Sequence, residues 1–158
     1  MIRPAAPADV PAVLGLIREL ATYEREPDAV VATADGLRSA LFGPSPTVYC
    51  HVAEADGEVV GFALWFRNFS TWLGRPGIYL EDLYVRPAYR GRGLGKALLA
   101  TLASIATERG YGRVEWSVLD WNSPAHDFYR SIGARPMDEW TVWRLSGDTL
   151  TALATGED

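Results

Sequence analysis

The sequence lacks several features that define particular classes of protein. Cys50 is the single cysteine among 158 residues, so no disulfide can form within the chain. No stretch approaches the roughly 20 consecutive apolar residues that a membrane-spanning helix needs. The N-terminus, Met1-Ile2-Arg3-Pro4, has no apolar segment of the kind found in secretory signals. We therefore expect a cytoplasmic protein with no membrane partner.

Positive charge is also scarce. The formal net charge is −5, no basic tail is present, and the arginines form only small local groups. Since nucleic acids favour proteins of net positive charge, we expect no nucleic-acid partner. The acidic excess is compatible with a cationic small-molecule substrate, although it is explained as well by solubility alone.

Residues that bind metals are few and isolated. His51 and His126 have no cysteine or carboxylate at the spacing of metal ligands. We therefore expect no metal site.

The chain does have the length and apolar content of one domain, predicted to span residues 1–158. Hydrophobic residues make up 48% of it. Apolar spacing predicts helices from Asp9 to Ala21, at 33–41, from the glycine-rich loop to Gly110, at 123–132 and at 148–154. Strand patterns cover 1–4, 48–54, 59–66, 77–85, 114–119 and 139–145, with Asp56-Gly57 as a hairpin turn. This order predicts an α/β fold with a mixed sheet.

Six tryptophans are unusually many for this length. We expect most of them to pack in the core or in a dimer interface, with one or two on the wall of a pocket.

The most informative segment is residues 85–96, V-R-P-A-Y-R-G-R-G-L-G-K, between a strand and the long helix. Small residues let backbone N–H groups approach an anion, and the N-terminus of the following helix adds partial positive charge. Arg90, Arg92 and Lys96 add formal charge. A solvated turn is the alternative, but three alternating glycines between arginines favour a pyrophosphate site.

Two familiar phosphate motifs do not fit this segment. The P-loop pattern G-x-x-x-x-G-K-[ST] fails at Arg90 and Ala97. The dinucleotide pattern G-x-G-x-x-G fails in both registers, because Lys96 or Leu98 occupies the place of the third glycine.

The segment instead matches R-x-x-G-x-G through Arg90, Gly93 and Gly95, and it resembles the acetyl-CoA loop of the GNAT superfamily. Residues 79–85, Y-L-E-D-L-Y-V, resemble a strand of the diamine (spermidine/spermine) and thialysine acetyltransferases. Other similar blocks lie at 2–5, 20–24, 118–122, 128–129 and 133–134. The resemblance implies the GNAT fold, with a mostly antiparallel sheet flanked by helices. It also implies acetyl-CoA as co-substrate, a small amine as acceptor and a homodimer.

The resemblance implies a set of coenzyme contacts. The backbone of Leu83, Tyr84 and Val85 would bind the pantetheine arm, freed by a bulge that splays this strand from the next. The remaining contacts would be Arg90, Gly91, Arg92, Gly93, Leu94, Gly95, Lys96, Asn122 and Ala125. From its position alone, Asn122 is also a candidate helix cap.

Acetyl transfer needs a neutral amine, a stabilised oxyanion and a protonated thiolate leaving group. The resemblance implies that Glu81 takes the amine proton through water and that Tyr129 protonates the thiolate. Without the resemblance, a Glu-Asp pair on a strand would more often lie on an exposed edge or form ion pairs. A lone tyrosine would more often pack in a core. Since no nucleophilic dyad surrounds Cys50, we expect direct transfer without an acetyl-enzyme.

Four residues are predicted to contact the amine: Tyr23, Glu24, Glu81 and Asp82. Glu24 is explained equally well as a solvated charge in a loop. In comparison with the diamine acetyltransferases, two carboxylates are replaced, one by Ser70 and one by Thr141, although Glu139 is close to the second position. Fewer carboxylates are therefore available to bind a polyamine, which leaves room for a smaller substrate such as a lysine-like amino acid.

Two other functions remain open. One is acetylation of protein lysines or N-termini, which a peptide-length groove would favour. The other is a non-catalytic acyl-CoA-binding module, which would need neither Glu81 nor Tyr129.

Overall fold

The computed structural model describes residues 1–156. This range contains five strands: β1 (Ile2–Pro4), β2 (Tyr49–Ala55), β3 (Glu58–Ser70), β4 (Arg75–Val85) and β5 (Val114–Trp116). It also contains five α-helices: α1 (Val10–Tyr23), α2 (Ala34–Phe42), α3 (Leu94–Glu108), α4 (Ser123–Ser131) and α5 (Gly147–Thr155). The chain divides into two compact units, Met1–Leu119 and Asp120–Asp158. The predicted domain 1–158 includes Glu157 and Asp158, which lie outside the described residues.

The first unit is built on a sheet of order β1-β2-β3-β4-β5. The first three pairings are antiparallel and the last is parallel, which confirms the predicted mixed, mostly antiparallel sheet. Asp56 and Gly57 join β2 to β3 with φ values of 53° and 77°. Positive φ at both central positions is what a tight two-residue hairpin requires, so this predicted turn is confirmed.

The sheet lies between helices. A buried cluster on one face joins α1 and α2 to the strands, through Val13, Leu16, Leu20, Leu41, Cys50, Val52, Phe62, Leu64 and Tyr84. Neighbouring residues of a strand point to opposite faces, so Trp65 points away from this cluster. There the guanidinium of Arg109, which follows α3, lies 5.8 Å from the Trp65 ring centre. The helix α3 therefore covers the second face with its buried stripe of Leu98, Leu99, Leu102 and Ala106.

A polar residue precedes each of the first two helices. Asp9 precedes α1 as predicted, but its carboxylate makes no capping bond to that helix. It accepts hydrogen bonds from Arg3 Nη1 and from the Ala6 N–H, both at 2.7 Å, and so ties β1 to the helix. Thr33 caps α2, because its hydroxyl oxygen accepts a hydrogen bond from the Gly36 N–H at 3.1 Å.

The second unit contains α4 and α5. The cap position of α4 is Asn122 rather than the predicted Ser123, and the left-handed Gly133 follows its end. The observed α5 confirms the short helix predicted at 148–154. None of the helices within residues 1–156 has the length and apolar character needed to span a membrane.

Two predicted strands differ from the structure. The strand predicted at 139–145 is wrong, because these residues form no strand and Trp140, Val142 and Trp143 are exposed. A strand needs a neighbour for its backbone N–H and C=O groups, and no described strand pairs with this segment. The strand predicted at 114–119 ends early, at Trp116, where its pairing with β4 stops.

The tryptophans are mostly outside the core. Trp65 is buried at 2% exposure and Trp116 is half-buried, whereas the others are exposed, Trp143 at 91%. The expectation of core packing is therefore wrong for most of the six, and packing in a dimer stays a prediction.

At Gly61, β3 passes close to the backbone of β4. A Cβ atom at this position would lie 2.8 Å from the carbonyl oxygen of Tyr84 and 3.0 Å from a methyl of Val85. We expect Gly61→Ala to lower the free energy of unfolding by about 1–3 kcal/mol, because the backbone of β4 cannot move without disturbing its pairing. Urea unfolding measures this. Gly15→Ala is the matched control, since a Cβ there meets nothing within 4 Å; an equal loss in both variants contradicts the explanation.

Candidate active site

A β-bulge interrupts the pairing of β3 with β4 at Glu81. Leu64 pairs with Asp82, and the next residue, Trp65, pairs with Leu80, so no residue of β3 lies opposite Glu81. In a regular strand Leu80 and Asp82 would share a face. The extra residue places Asp82 on the face of Leu64, which is the face that α1 covers. The predicted bulge in this strand is confirmed.

The outer edge of β4 is open beyond the bulge. β5 pairs only with Ile78–Leu80, and no strand within residues 1–156 pairs with Glu81–Val85 on that side. Backbone N–H and C=O groups on this edge have no ladder partner and can bind a ligand. This confirms that β4 and β5 separate at the bulge.

Three carboxylates lie near the bulge. Asp82 is half-buried, and burial raises its pKa to about 6, with further contributions from the charges of Glu81 and Glu24. Glu24 stands at the end of α1, and burial raises its pKa as well. Glu81 is exposed. Glu24 and Glu81, which are also predicted to contact the amine, thus lie near enough to Asp82 for their charges to affect its ionisation. A bound cation would relieve their mutual repulsion.

The raised pKa of Asp82 predicts a pH-dependent contribution to stability. An unfolded aspartate has a pKa of roughly 3.9, so as pH rises the unfolded chain loses this proton before the folded chain does. The stabilising contribution of protonated Asp82 is complete below about pH 4 and is lost as pH rises through the folded pKa of about 6. Asp82→Asn cannot titrate. Between these pH values, the free energy of unfolding of Asp82→Asn should therefore rise relative to that of the wild type by up to about 1.4 kcal/mol for each unit of increasing pH.

Urea unfolding at a series of pH values measures this difference. Asp35→Asn removes a carboxylate that is 99% exposed and so controls for the loss of charge itself. A pH-independent difference between Asp82→Asn and wild type would contradict the prediction.

The glycine-rich loop has the open backbone that an anion site needs. Gly91 and Gly93 have φ values of +78° and +80°, a conformation that side-chain-bearing residues rarely adopt. A Cβ at Gly91, Gly93 or Gly95 would meet nothing within 4 Å, so the space beside this backbone is open. The helix α3 begins at Leu94, and its first N–H groups have no acceptor within the helix. These features fit a pyrophosphate group.

The three cationic side chains of the loop differ in their surroundings. The guanidinium of Arg92 lies 4.9 Å from the ring centre of Tyr89, its neighbour within the loop. Lys96 is exposed on the first turn of α3. Arg90 instead turns back toward the sheet, where its Nε donates to the carbonyl oxygen of Val85 at 2.9 Å. Of the three side chains, only that of Arg90 bonds to the end of β4.

Two residues that support the site were missed by the sequence reasoning. Arg86, which directly follows β4, donates to both carboxylate oxygens of Glu19 on α1, at 3.1–3.3 Å. The hydroxyl of Tyr84 donates to the same carboxylate at 3.4 Å. The ring of Tyr84 is buried, so only its backbone is available to a coenzyme. Glu19 and Arg86 are 67 positions apart, and no local pattern predicts their pairing.

The predicted residues of the second unit lie on or next to α4. Asn122, Ala125 and Tyr129 are all half-buried. Asn122 occupies the cap position, but its side chain makes no capping bond. The ring of Tyr129 lies 5.5 Å from that of Phe128, and its carbonyl accepts a hydrogen bond from the Ala134 N–H at 3.1 Å. The roles of these residues in binding and catalysis stay predictions.

Ser70 has a structural role in the turn between β3 and β4. It is buried, and its hydroxyl oxygen accepts a hydrogen bond from the Leu73 N–H at 3.1 Å. Its carbonyl accepts another from the Gly74 N–H at 2.8 Å. The Ser70 hydroxyl therefore stabilises the turn between β3 and β4.

A cavity of about 280 Å³ lies at the β2 side of the sheet and contains none of the predicted site residues. The rings of Tyr49 and Trp65 lie on its wall with centres 4.8 Å apart and planes tilted by 31°, and Trp65 Nε1 donates to His51 Nδ1 at 3.3 Å. Trp65 and His51 are therefore hydrogen-bond partners of each other, and the side chains on this wall are not arranged for acid–base chemistry. Within residues 1–156, no group of three or more His, Cys, Asp or Glu residues could hold a metal ion.

Comparison with known proteins agrees with this geometry. The model of the acetyltransferase (GNAT) family matches residues 14–134. The chain is similar to thialysine N-epsilon-acetyltransferase of Bos taurus, with 42% identity over 98% of this chain and 96% of that protein. It is also similar to L-ornithine N5-acetyltransferase of Arabidopsis thaliana, with 36% identity over 96% of this chain and 86% of that protein.

Among solved structures, an integron cassette protein from V. cholerae has a TM-score of 0.81 and 29% identity, with coverage of 98% of this chain and 96% of that one. The bulged strand, the open strand edge and the glycine-rich loop thus occur in a chain that is similar to named acetyltransferases along almost its whole length. This chain belongs to the GNAT acetyltransferase family and is an N-acetyltransferase.

Proposed function

We propose that this protein transfers an acetyl group from acetyl-CoA directly to a primary amine of a small cationic molecule. The observation that carries the proposal is the cluster of Glu24, Glu81 and Asp82 at the bulge of β4. A cluster of carboxylates favours a positively charged substrate. The relatives named for thialysine and ornithine, two amino acids with a side-chain amine, support the same class of acceptor.

The open edge of β4 and the loop are the proposed coenzyme site. Acetyl-CoA supplies an activated acetyl thioester when it is bound. The backbone of Leu83–Val85 holds the pantetheine arm, and the backbone N–H groups of residues 91–96 hold the pyrophosphate, helped by the side chains of Arg92 and Lys96. Asn122 and Ala125 contribute further contacts from α4.

The chain's own residues supply the proton transfers of the proposed reaction. Glu81, exposed at the bulge, takes a proton from the substrate ammonium through water, while Asp82 and Glu24 hold the cation. The neutral nitrogen forms a bond to the carbonyl carbon as the carbon–sulfur bond breaks, and Tyr129 gives its proton to the departing thiolate. The acylated nitrogen then loses its extra proton through water to the Tyr129 phenolate, and Glu81 releases its proton to solvent, which regenerates both residues. Backbone N–H groups of Leu83–Val85 stabilise the negative charge that develops on the carbonyl oxygen.

Direct transfer also agrees with the state of the single thiol. Cys50 is buried, and burial, with the charges of Asp9 and Asp82, raises its pKa to about 12. The thiolate is the nucleophilic form of cysteine, so this side chain is not a nucleophile near neutral pH.

A lysine-like amino acid is the proposed substrate rather than a long polyamine. A polyamine carries several cationic nitrogens along its length and needs carboxylates that are spread to match. Ser70 is committed to a turn through the Leu73 N–H, and Thr141 carries no charge. The carboxylates near the bulge are sufficient for an amine close to the reacting centre.

Release of coenzyme A from acetyl-CoA tests the proposed function against a panel of amines. We expect kcat/KM for thialysine or L-ornithine to exceed that for spermidine by about tenfold or more, the effect of roughly 1.4 kcal/mol from a missing ionic contact. Lysine, putrescine and a lysine peptide complete the panel. Turnover of the peptide alone would support a protein acetyltransferase instead. Binding of acetyl-CoA without turnover of any amine would support the non-catalytic module.

We also propose that the protein is a homodimer. The exposed residues Trp140, Val142 and Trp143 form an apolar segment of the kind that protein interfaces cover. Light scattering after size-exclusion chromatography should give the mass of two chains at micromolar concentration. The variant Trp143→Glu should shift the mass toward one chain, and a wild-type monomer at every concentration would contradict the proposal.

A further inference from the structure

Arg90 connects three parts of the first unit. Its guanidinium carbon lies 5.5 Å from the ring centre of Tyr23 and 5.6 Å from that of Tyr84. Its Nε donates to the carbonyl oxygen of Val85 at 2.9 Å. Tyr23 is the last residue of α1, Val85 is the last residue of β4, and Arg90 itself opens the glycine-rich loop.

The chemistry of arginine suits this position. A guanidinium group is planar, stacks on aromatic rings and still donates hydrogen bonds along its edge. No ion pair within residues 1–156 involves Arg90, whereas nearby Arg86 is paired with Glu19. The side chain of Arg90 is therefore held by two rings and one carbonyl oxygen.

Arg90 thus joins two segments that bind different ligands in the proposed reaction. The loop that starts at Arg90 is the proposed pyrophosphate site, and Tyr23 and Glu24 at the end of α1 belong to the proposed amine site. We propose that Arg90 is a positioning residue that holds the loop against the end of α1, so that coenzyme and amine each strengthen the binding of the other. This inference rests on the proposed function and gives the arginine side chain a role other than binding phosphate.

The physical reason is a shared ordering of two segments. A loop held in its binding conformation loses less entropy when the coenzyme binds. Because Arg90 contacts Tyr23 directly, ordering of the loop also orders the end of α1, and the reverse holds. Coupling of this kind is reciprocal, so each ligand must change the affinity of the other by the same factor.

Calorimetric titration with coenzyme A and thialysine tests the coupling without turnover. We expect saturating coenzyme A to tighten thialysine binding in the wild type by about two- to fivefold, the range of one exposed cation–π contact. Tyr23→Leu should weaken coenzyme A binding by a similar factor, although Tyr23 belongs to the amine side, and should abolish the coupling. Arg90→Lys keeps the charge but loses the planar stack, so it should also abolish the coupling.

A double-mutant cycle and a matched control separate the link from general damage. Adding Tyr23→Leu to Arg90→Lys should weaken coenzyme A binding no further than Arg90→Lys alone, because the link is already broken. Tyr89→Leu removes the ring beside Arg92 within the same loop, and it should preserve the coupling. Additive effects in the cycle, unchanged coenzyme A affinity in Tyr23→Leu, or no coupling in the wild type would each overturn the proposal.

Hydrogen exchange of the free protein gives a readout that does not depend on any ligand. The N–H groups of Glu24 and Glu26 bond to carbonyls of α1 at 2.9 Å. Both should exchange faster in Arg90→Ala than in wild type or Tyr89→Leu, and equal exchange would overturn the link. A wild type that binds no coenzyme A would refute only the proposed function, because hydrogen exchange would still test the contact between Arg90 and Tyr23.

Discussion

Replacing Tyr129 by phenylalanine should lower kcat by about 100-fold or more, the range expected when a general acid is removed. The departing thiolate must then take its proton from solvent. Only one oxygen atom is lost from a half-buried ring, so the affinity for acetyl-CoA and the free energy of unfolding should change little. Steady-state kinetics, calorimetric binding and urea unfolding measure the three quantities on the same preparation.

The matched control for Tyr129→Phe is Tyr111→Phe. It also removes a phenolic oxygen, but from a residue outside the predicted site, and it should keep nearly full turnover. A Tyr129→Phe variant with unchanged kcat would remove the acid role from this residue. A large loss of coenzyme affinity would instead indicate a binding role.

Replacing Glu81 by glutamine should lower kcat/KM near neutral pH by about 100-fold, because a general base contributes on this scale. The deficit should shrink as pH rises toward the pKa of the amine substrate, roughly 10.4 for a lysine-like group. At high pH the amine is already neutral, and no base is needed to remove its proton. A pH profile of kcat/KM for thialysine measures this dependence.

Asp82→Asn is the matched control for Glu81→Gln. It removes the neighbouring carboxylate, which belongs to the same acidic cluster, and should raise KM for the amine more than it lowers kcat. A Glu81→Gln deficit that is equal at every pH would contradict the base role. The same pH-dependent deficit in Asp82→Asn, with none in Glu81→Gln, would assign that role to Asp82.

Local backbone requirements were predictable from neighbouring residues. Asp56-Gly57 forms the expected turn, because this pair tolerates the two positive φ values of a tight hairpin. Gly91 and Gly93 also adopt positive φ in the expected loop. The strand predicted at 139–145 shows the limit of such reasoning. Its apolar pattern suits a strand, but a strand also requires a partner, and sequence pattern alone does not supply one.

The candidate site was predictable as a set of residues more than as an arrangement. The resemblance to acetyltransferases indicated Glu81, Asp82, the open strand edge and the loop. It assigned Arg90 to the coenzyme and gave no reason to join it to Tyr23. That contact and the Glu19–Arg86 pair depend on how α1 packs against the end of β4, and each involves residues far apart in the chain.

The sequence by itself determined the family and the α/β order of elements as far as α4, and it predicted a phosphate-binding loop, because these patterns lie in neighbouring residues. Only the tertiary structure decided the environment of each functional group. The bulge at Glu81 turns Asp82 onto the face under α1, where burial and the charges of Glu81 and Glu24 raise its pKa to about 6. Desolvation and charge proximity arise from distances between elements, and those distances exist only after the helices have packed on the sheet.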